Sequence, residues 1–121
     1  MTINCKKIIC ALDFDDFSKA ENFIKAIDYD IVYKIGMEFF YRFGIDGIKK
    51  ITNIKKSIKL FLDLKLHDIP NTVERAIFPL VTNVRPYMLT LHVAGGKKML
   101  QNSVLAATEA QLKAAEIANE G

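Results

Sequence analysis

Short apolar runs alternate with stretches of helical period along the chain, and the alternation repeats four times. Lys7 to Leu12 is a near-continuous apolar run ended by Asp13. Phe17, Ala20, Phe23, Ile24 and Ile27 then recur at helical spacing, which predicts a helix capped by Asp15 or Asp16. Ile31 to Ile35 is a second apolar run, broken at Gly36. Ile45, Ile48, Ile51 and Ile54 predict a helix from about Ile45 to Ile54. Leu60 to Leu64 is a third run, followed by a predicted helix from about Asn71 to Val81. Met88 to Val93 is a fourth, closed by Gly95-Gly96. A last helical stretch is predicted from Lys97 to about Asn119, and its alanine-rich part from Ser103 to Ala118 is a strong helix former.

The runs start near residues 7, 31, 60 and 88, intervals of about 24 to 29 residues that match βα units of roughly 30. Continuous rather than alternating apolar strands are those buried on both faces, which implies a parallel sheet covered by helices. The expected fold is therefore α/β, four βα units in one domain. A parallel sheet of four strands has two open edges, so the chain is expected to associate.

Composition narrows the class without choosing the chemistry. Half of the 121 residues are apolar and 26% are charged, a globular balance. The net charge of +3 is small, and the lysines fall in scattered pairs such as Lys49-Lys50 and Lys97-Lys98. Solvated helix faces are expected, not a nucleic-acid surface. No apolar run approaches the ~20 residues of a membrane span, and the run after Lys6-Lys7 is shorter than the roughly 7–15 residues of a secretory leader. Cys5 and Cys10 flank a strand without a CxxC, so reduced buried thiols and a cytoplasmic location are expected.

The informative residues are charges standing where a buried strand should be apolar. Asp13 ends the first run, Lys34 interrupts the second, Asp63 and Lys65 lie in the third, and Asp68 follows in the loop. The C-terminal ends of parallel strands are where α/β barrels and open sheets build their sites. Asp63 and Lys65 are two residues apart, so on an extended strand they share a face. Lys34, one strand over, can join them. The alternating signs of Lys34, Asp63, Lys65 and Asp68 are what lets such an array be buried, because an unpaired buried charge is costly. A plain ion pair at a strand end is the simpler account of Asp63 and Lys65 alone. His67 and His92 lack metal-ligand spacing, and a satisfied strand-end histidine is expected at His92. The aromatic cluster Phe39, Phe40, Tyr41 and Phe43 is expected in core or dimer packing.

At these residues the chain resembles a known family. The run from Asp63 through Asp68-Ile69-Pro70-Asn71-Thr72 resembles the signature of the orotidine 5′-phosphate decarboxylases. Ala11-Leu12-Asp13, Tyr33-Lys34-Ile35-Gly36 and Leu91-His92-Val93-Ala94-Gly95-Gly96 resemble that family's first, second and fourth strand ends, in order. The resemblance spans roughly residues 7 to 105 and implies a (β/α)8 TIM barrel. It implies decarboxylation of orotidine 5′-monophosphate to UMP in pyrimidine synthesis, with no metal and no organic cofactor. Asp63 would sit against the substrate carboxylate, and Lys65 would protonate the ring carbon as carbon dioxide leaves. Lys34 and Asp68 would hold the array in register, while Asp13 and Lys34 reach the ribose. Asp68, Ile69 and Thr72 would act in the neighbouring subunit's site, which makes a homodimer. A sister family of magnesium-dependent sugar-phosphate lyases shares a D-x-K-x-x-D motif. Its second strand typically ends in a metal-holding glutamate, where this chain has the cation Lys34.

A barrel of this kind uses eight strands and about 250 residues. Residues 1–121 are therefore expected to be the N-terminal half of a decarboxylase domain, without the later loops that grip the phosphate in the family. The alternative function is a non-catalytic half-barrel or assembly module that keeps the charges.

Overall fold

A computed structural model describes residues 7–120. Cys5 and Lys6 lie outside the described residues. The chain divides into two compact units. One takes in the described residues up to Leu64 together with Tyr87–Leu89, and the other takes in Lys65–Pro86 and the described residues from Thr90 onward.

In the first unit, β1 (Ile9–Ala11), β2 (Val32–Gly36) and β3 (Lys59–Leu66, as far as Leu64) alternate with α1 (Phe17–Ala26) and α2 (Met37–Thr52). The start of β4 (Met88–Leu91) completes a sheet of order β1-β2-β3-β4. β2 runs parallel to β1, with Ala11 opposite Lys34, and parallel to β3, with Gly36 opposite Asp63. The four-unit α/β pattern expected from the apolar runs is thus the observed one. Val32, Tyr33, Ile35, Leu60 and Leu62 are all at most 1% exposed, which is why these strands read as continuous apolar runs.

Asp16 caps α1, its Oδ1 accepting from the Ser18 backbone N–H at 2.8 Å. α2 begins eight residues earlier than the isoleucine spacing suggested, and it is kinked at Gly44 (φ 64°, ψ −166°). The isoleucines mark only the segment beyond the kink. The segment before it is rich in aromatics, which are middling helix formers on their own. Its helical state comes from packing: Phe39 and Phe43 lie 4.8 Å apart, and Phe17 of α1 lies 5.7 Å from Phe43 and 6.3 Å from Phe39. Phe39 is fully buried, as expected of a core aromatic, whereas Tyr41 is 82% exposed. Tyr33 is buried with a hydroxyl that has no hydrogen-bond partner among the described residues. Burial, and after it Cys10 and Asp30, push its phenol above the ordinary tyrosine range. Cys10, β2's neighbour in register, is a free, half-buried thiol.

In the second unit, α3 (Pro70–Val84) packs against α4 (Lys97–Glu120). α3 contributes Val73, Ile77, Leu80, Val81 and Val84 to the buried set, and α4 contributes Met99, Ser103, Ala106, Ala110 and Ala114. The small residues of α4 recur at helical spacing, the arrangement that lets two helix backbones approach. α4 is one continuous helix, so the long stretch after Gly96 needs no second element. Pro70 stands at the first turn of α3, where its missing N–H is not needed. Arg85 ends α3 in the left-handed conformation (φ 52°, ψ 57°), and its guanidinium donates to the Ala114 carbonyl at 3.1 Å. Glu74 is half-buried and accepts from the Asn102 amide at 3.4 Å. Among the described residues, no helix is long and apolar enough to cross a membrane.

Candidate active site

The first unit gathers three of the sequence-predicted residues at the C-terminal ends of its strands. Lys34 Nζ lies 3.8 Å from Asp63 Oδ2. Their side chains are 27% and 15% exposed, so the pair is partly desolvated. At that separation and an effective dielectric near 20, the attraction is about 4 kcal/mol before the desolvation of both groups is subtracted. Register explains the contact. Asp63 faces Gly36, which has no side chain, so the carboxylate has room to lean toward Lys34 two residues earlier. Asp13 closes the same corner. Leu12 N–H donates to the Lys34 carbonyl at 2.9 Å, and a Cβ placed on Gly36 would meet Asp13 Oδ1 at 3.7 Å. The Asp13 carboxylate therefore approaches the bare backbone of Gly36, beside the Lys34–Asp63 pair.

The second unit begins at Lys65 and holds the other four. Lys65 departs from the simple strand reading: its φ is +50°, in the left-handed region, although it lies within β3. Sharing a face at two-residue spacing assumes extended backbone at both positions. The turn at Lys65 breaks that assumption, so its exposed side chain is aimed by the backbone distortion and not by strand alternation. A non-glycine residue held there costs about 1–2 kcal/mol, and such conformations persist where the surroundings over-determine them, often at functional sites. The Lys65 N–H donates to Thr90 Oγ1 at 3.0 Å.

Asp68, Ile69 and Thr72 surround the start of α3. Asp68 is exposed, and its Oδ1 accepts from the Ile69 N–H at 2.7 Å, which sets a carboxylate at a helix N-terminus where the helix dipole favours it. Ile69 caps α3 and is 64% exposed, and the exposed Thr72 donates its N–H to the Ile69 carbonyl at 3.0 Å. His67, Asp68, Ile69, Pro70, Ala94 and Gly95 line an open depression of ≈ 550 Å³. The His67 and His92 rings stack at 4.7 Å with 20° between planes. His92 Nδ1 accepts from the Ala94 N–H at 3.2 Å, so His92 is a satisfied residue at a strand end, as expected. It caps a 3-10 turn (Val93–Gly95), which is why β4 stops at Leu91 and not at Val93.

Thr90 was missed by the sequence reading. The signal was available, because it is a polar residue inside the apolar run MLTLHV, the same kind of exception that singled out Lys34 and Asp63.

Comparison with known proteins bears on the family and the fold. A curated orotidine 5′-phosphate decarboxylase from Carboxydothermus hydrogenoformans is 43% identical over 107 residues, which cover 87% of this chain and 43% of that protein. The solved orotidine 5′-phosphate decarboxylase from Lactobacillus acidophilus superposes with a TM-score of 0.72 at 36% identity, covering 84% of this chain and 46% of that one. A Methanocaldococcus jannaschii orotidine 5′-monophosphate decarboxylase, solved with the inhibitor BMP, has a TM-score of 0.76 at 20% identity and shares the fold; 88% of this chain covers 49% of it. The chain thus spans about half the length of the relatives it matches. The family model described as orotidine 5′-phosphate decarboxylase / HUMPS family matches residues 6–119, and the chain belongs to that family.

Proposed function

We propose that residues 1–121 supply the first four βα units of an orotidine 5′-phosphate decarboxylase barrel and carry its charged catalytic array. The observation that bears most weight is the Lys34–Asp63 ion pair across adjacent strand ends, with Lys65 two residues further along β3. It also separates this reading from the magnesium-dependent sugar-phosphate lyases. The neighbour of Asp63 on β2 is an ammonium, which would repel a divalent cation instead of helping to hold it.

In this reading the substrate is orotidine 5′-monophosphate and the product is UMP. The carbon–carbon bond to the carboxylate breaks, carbon dioxide leaves, and the electron pair stays on the ring carbon. The Lys65 ammonium faces that carbon, stabilises the growing negative charge and gives it a proton, then recovers one from water. A fixed cation stabilises the transition state more than the ground state, and in a site closed to water its field is strong. Asp63 stands against the departing carboxylate, and Lys34 and Asp68 hold the array in register. Asp13 and Lys34 meet the ribose hydroxyls. Asp68, Ile69 and Thr72 serve the neighbouring subunit of a homodimer, and the protein works in the cytoplasm without metal or organic cofactor.

The test follows the fall in orotidine monophosphate absorbance on adding protein. The expected result is turnover by the wild type and none by Lys65→Ala, which keeps its far-UV circular dichroism. Turnover by Lys65→Ala would refute the role of Lys65. A flat trace from the wild type would instead favour the non-catalytic half-barrel.

A further inference from the structure

We propose that Thr90 is a positioning residue for Lys65: its hydroxyl holds the lysine backbone in the left-handed conformation that aims the ammonium. The proposal deepens the decarboxylase reading, since the importance of that aim rests on the assigned role of Lys65.

A residue that leaves extended geometry inside a strand turns its N–H away from the ladder, and that donor must find another acceptor. At Lys65 (φ +50°) the acceptor is a side chain, Thr90 Oγ1 at 3.0 Å. Ordinary pairing resumes one residue later, where the His92 N–H donates to the Leu66 carbonyl at 3.0 Å. One residue further on, the His67 ring stacks on His92. Residues 65, 66 and 67 are therefore tied in succession to Thr90 and His92 by a hydroxyl, a backbone bond and a ring stack. Threonine suits the place because its branched Cβ restricts χ1, so the oxygen is held and does not swing.

The effect reaches chemistry through direction. A left-handed φ redirects the Cα–Cβ bond, so whether the ammonium meets its target depends on the backbone staying there. A misplacement of about 1 Å can cost roughly a hundredfold in rate. Valine at position 90 keeps the shape and removes the acceptor, whereas serine keeps the acceptor and removes a methyl.

The experiment uses the full chain and reads Lys65 directly by nuclear magnetic resonance. Thr90→Val is expected to speed hydrogen exchange of the Lys65 amide by about tenfold, the order set by losing one hydrogen bond. It is also expected to move the Lys65 Cε resonance, while the His92 amide keeps its protection. Thr90→Ser should restore both signals. Thr90→Ala removes the same oxygen without adding a methyl, and it serves if the valine variant does not fold. An unchanged Lys65 amide in the variants lacking the hydroxyl would overturn the proposal. So would a faster amide with an unmoved Cε signal, since that describes a merely structural bond, or a failure of serine to rescue. Turnover of orotidine monophosphate by wild type and Lys65→Ala is measured alongside and judges the decarboxylase reading separately: a wild type without turnover sinks that reading while the resonance signals still decide the role of Thr90.

Discussion

Replacing Lys65 by glycine and by alanine separates what its backbone costs from what its side chain does. Both substitutions remove the ammonium, so both should be inactive. They differ in the β-carbon, which is the source of strain at φ +50°. Alanine keeps that strain of about 1–2 kcal/mol, and glycine relieves it. Glycine also gives the unfolded chain more freedom, which takes back roughly 0.5–1 kcal/mol. Lys65→Gly should therefore be more stable than Lys65→Ala by about 0.5–1 kcal/mol, or about 2–4 °C in Tm for a chain of this size. Lys113, exposed in α4 with helical backbone, provides the control. There the order reverses, and glycine should be the less stable by about 1 kcal/mol. Urea unfolding followed by far-UV circular dichroism measures all four variants. The reasoning fails if glycine is the less stable at both positions, because the left-handed backbone at Lys65 would then carry no strain.

Two further variants probe the first unit. Tyr33→Phe removes a buried hydroxyl without a partner and is expected to raise stability by about 1 kcal/mol in urea, the order of relieving an unsatisfied buried group. The folded pKa of Tyr33 is raised, so its contribution is present below the unfolded value near 10 and is lost as pH rises through the folded value. The wild type should accordingly lose stability above about pH 10 more steeply than Tyr33→Phe, and parallel pH profiles would contradict the assignment. Gly44→Ala places a β-carbon in a backbone region that is nearly exclusive to glycine, although among the described residues nothing beyond its chain neighbours and its own helix backbone lies within 4 Å of it. A loss of about 1–3 kcal/mol is expected from backbone strain alone, and an unchanged urea midpoint would show that the kink is not needed.

Most of the fold was legible because its strands are buried on both faces. Runs such as Leu60 to Leu64 then announce themselves, and any charge within them stands out. That contrast is what exposed Lys34 and Asp63. The first half of α2 was not legible, because its helicity depends on Phe39 and Phe43 meeting Phe17 of another helix. Nor was the backbone at Lys65, since alternation rules presume the extended chain that this residue abandons. β4 was read two residues too long because Val93 continues the apolar run, whereas the His92 imidazole has already begun a turn.

The pairing of Gly36 with Asp63 has a consequence for how the sheet forms. If either strand slipped by one residue, Asp63 would turn toward the side occupied by Tyr33 and Ile35, which are 1% and 0% exposed. The carboxylate would be buried without a cation, and Lys34 would lose its partner. Aliphatic strands as alike as these offer little else to distinguish one threading from the next. The charges assigned to a substrate thereby proofread the chain, rejecting misthreaded sheets long before any ligand arrives.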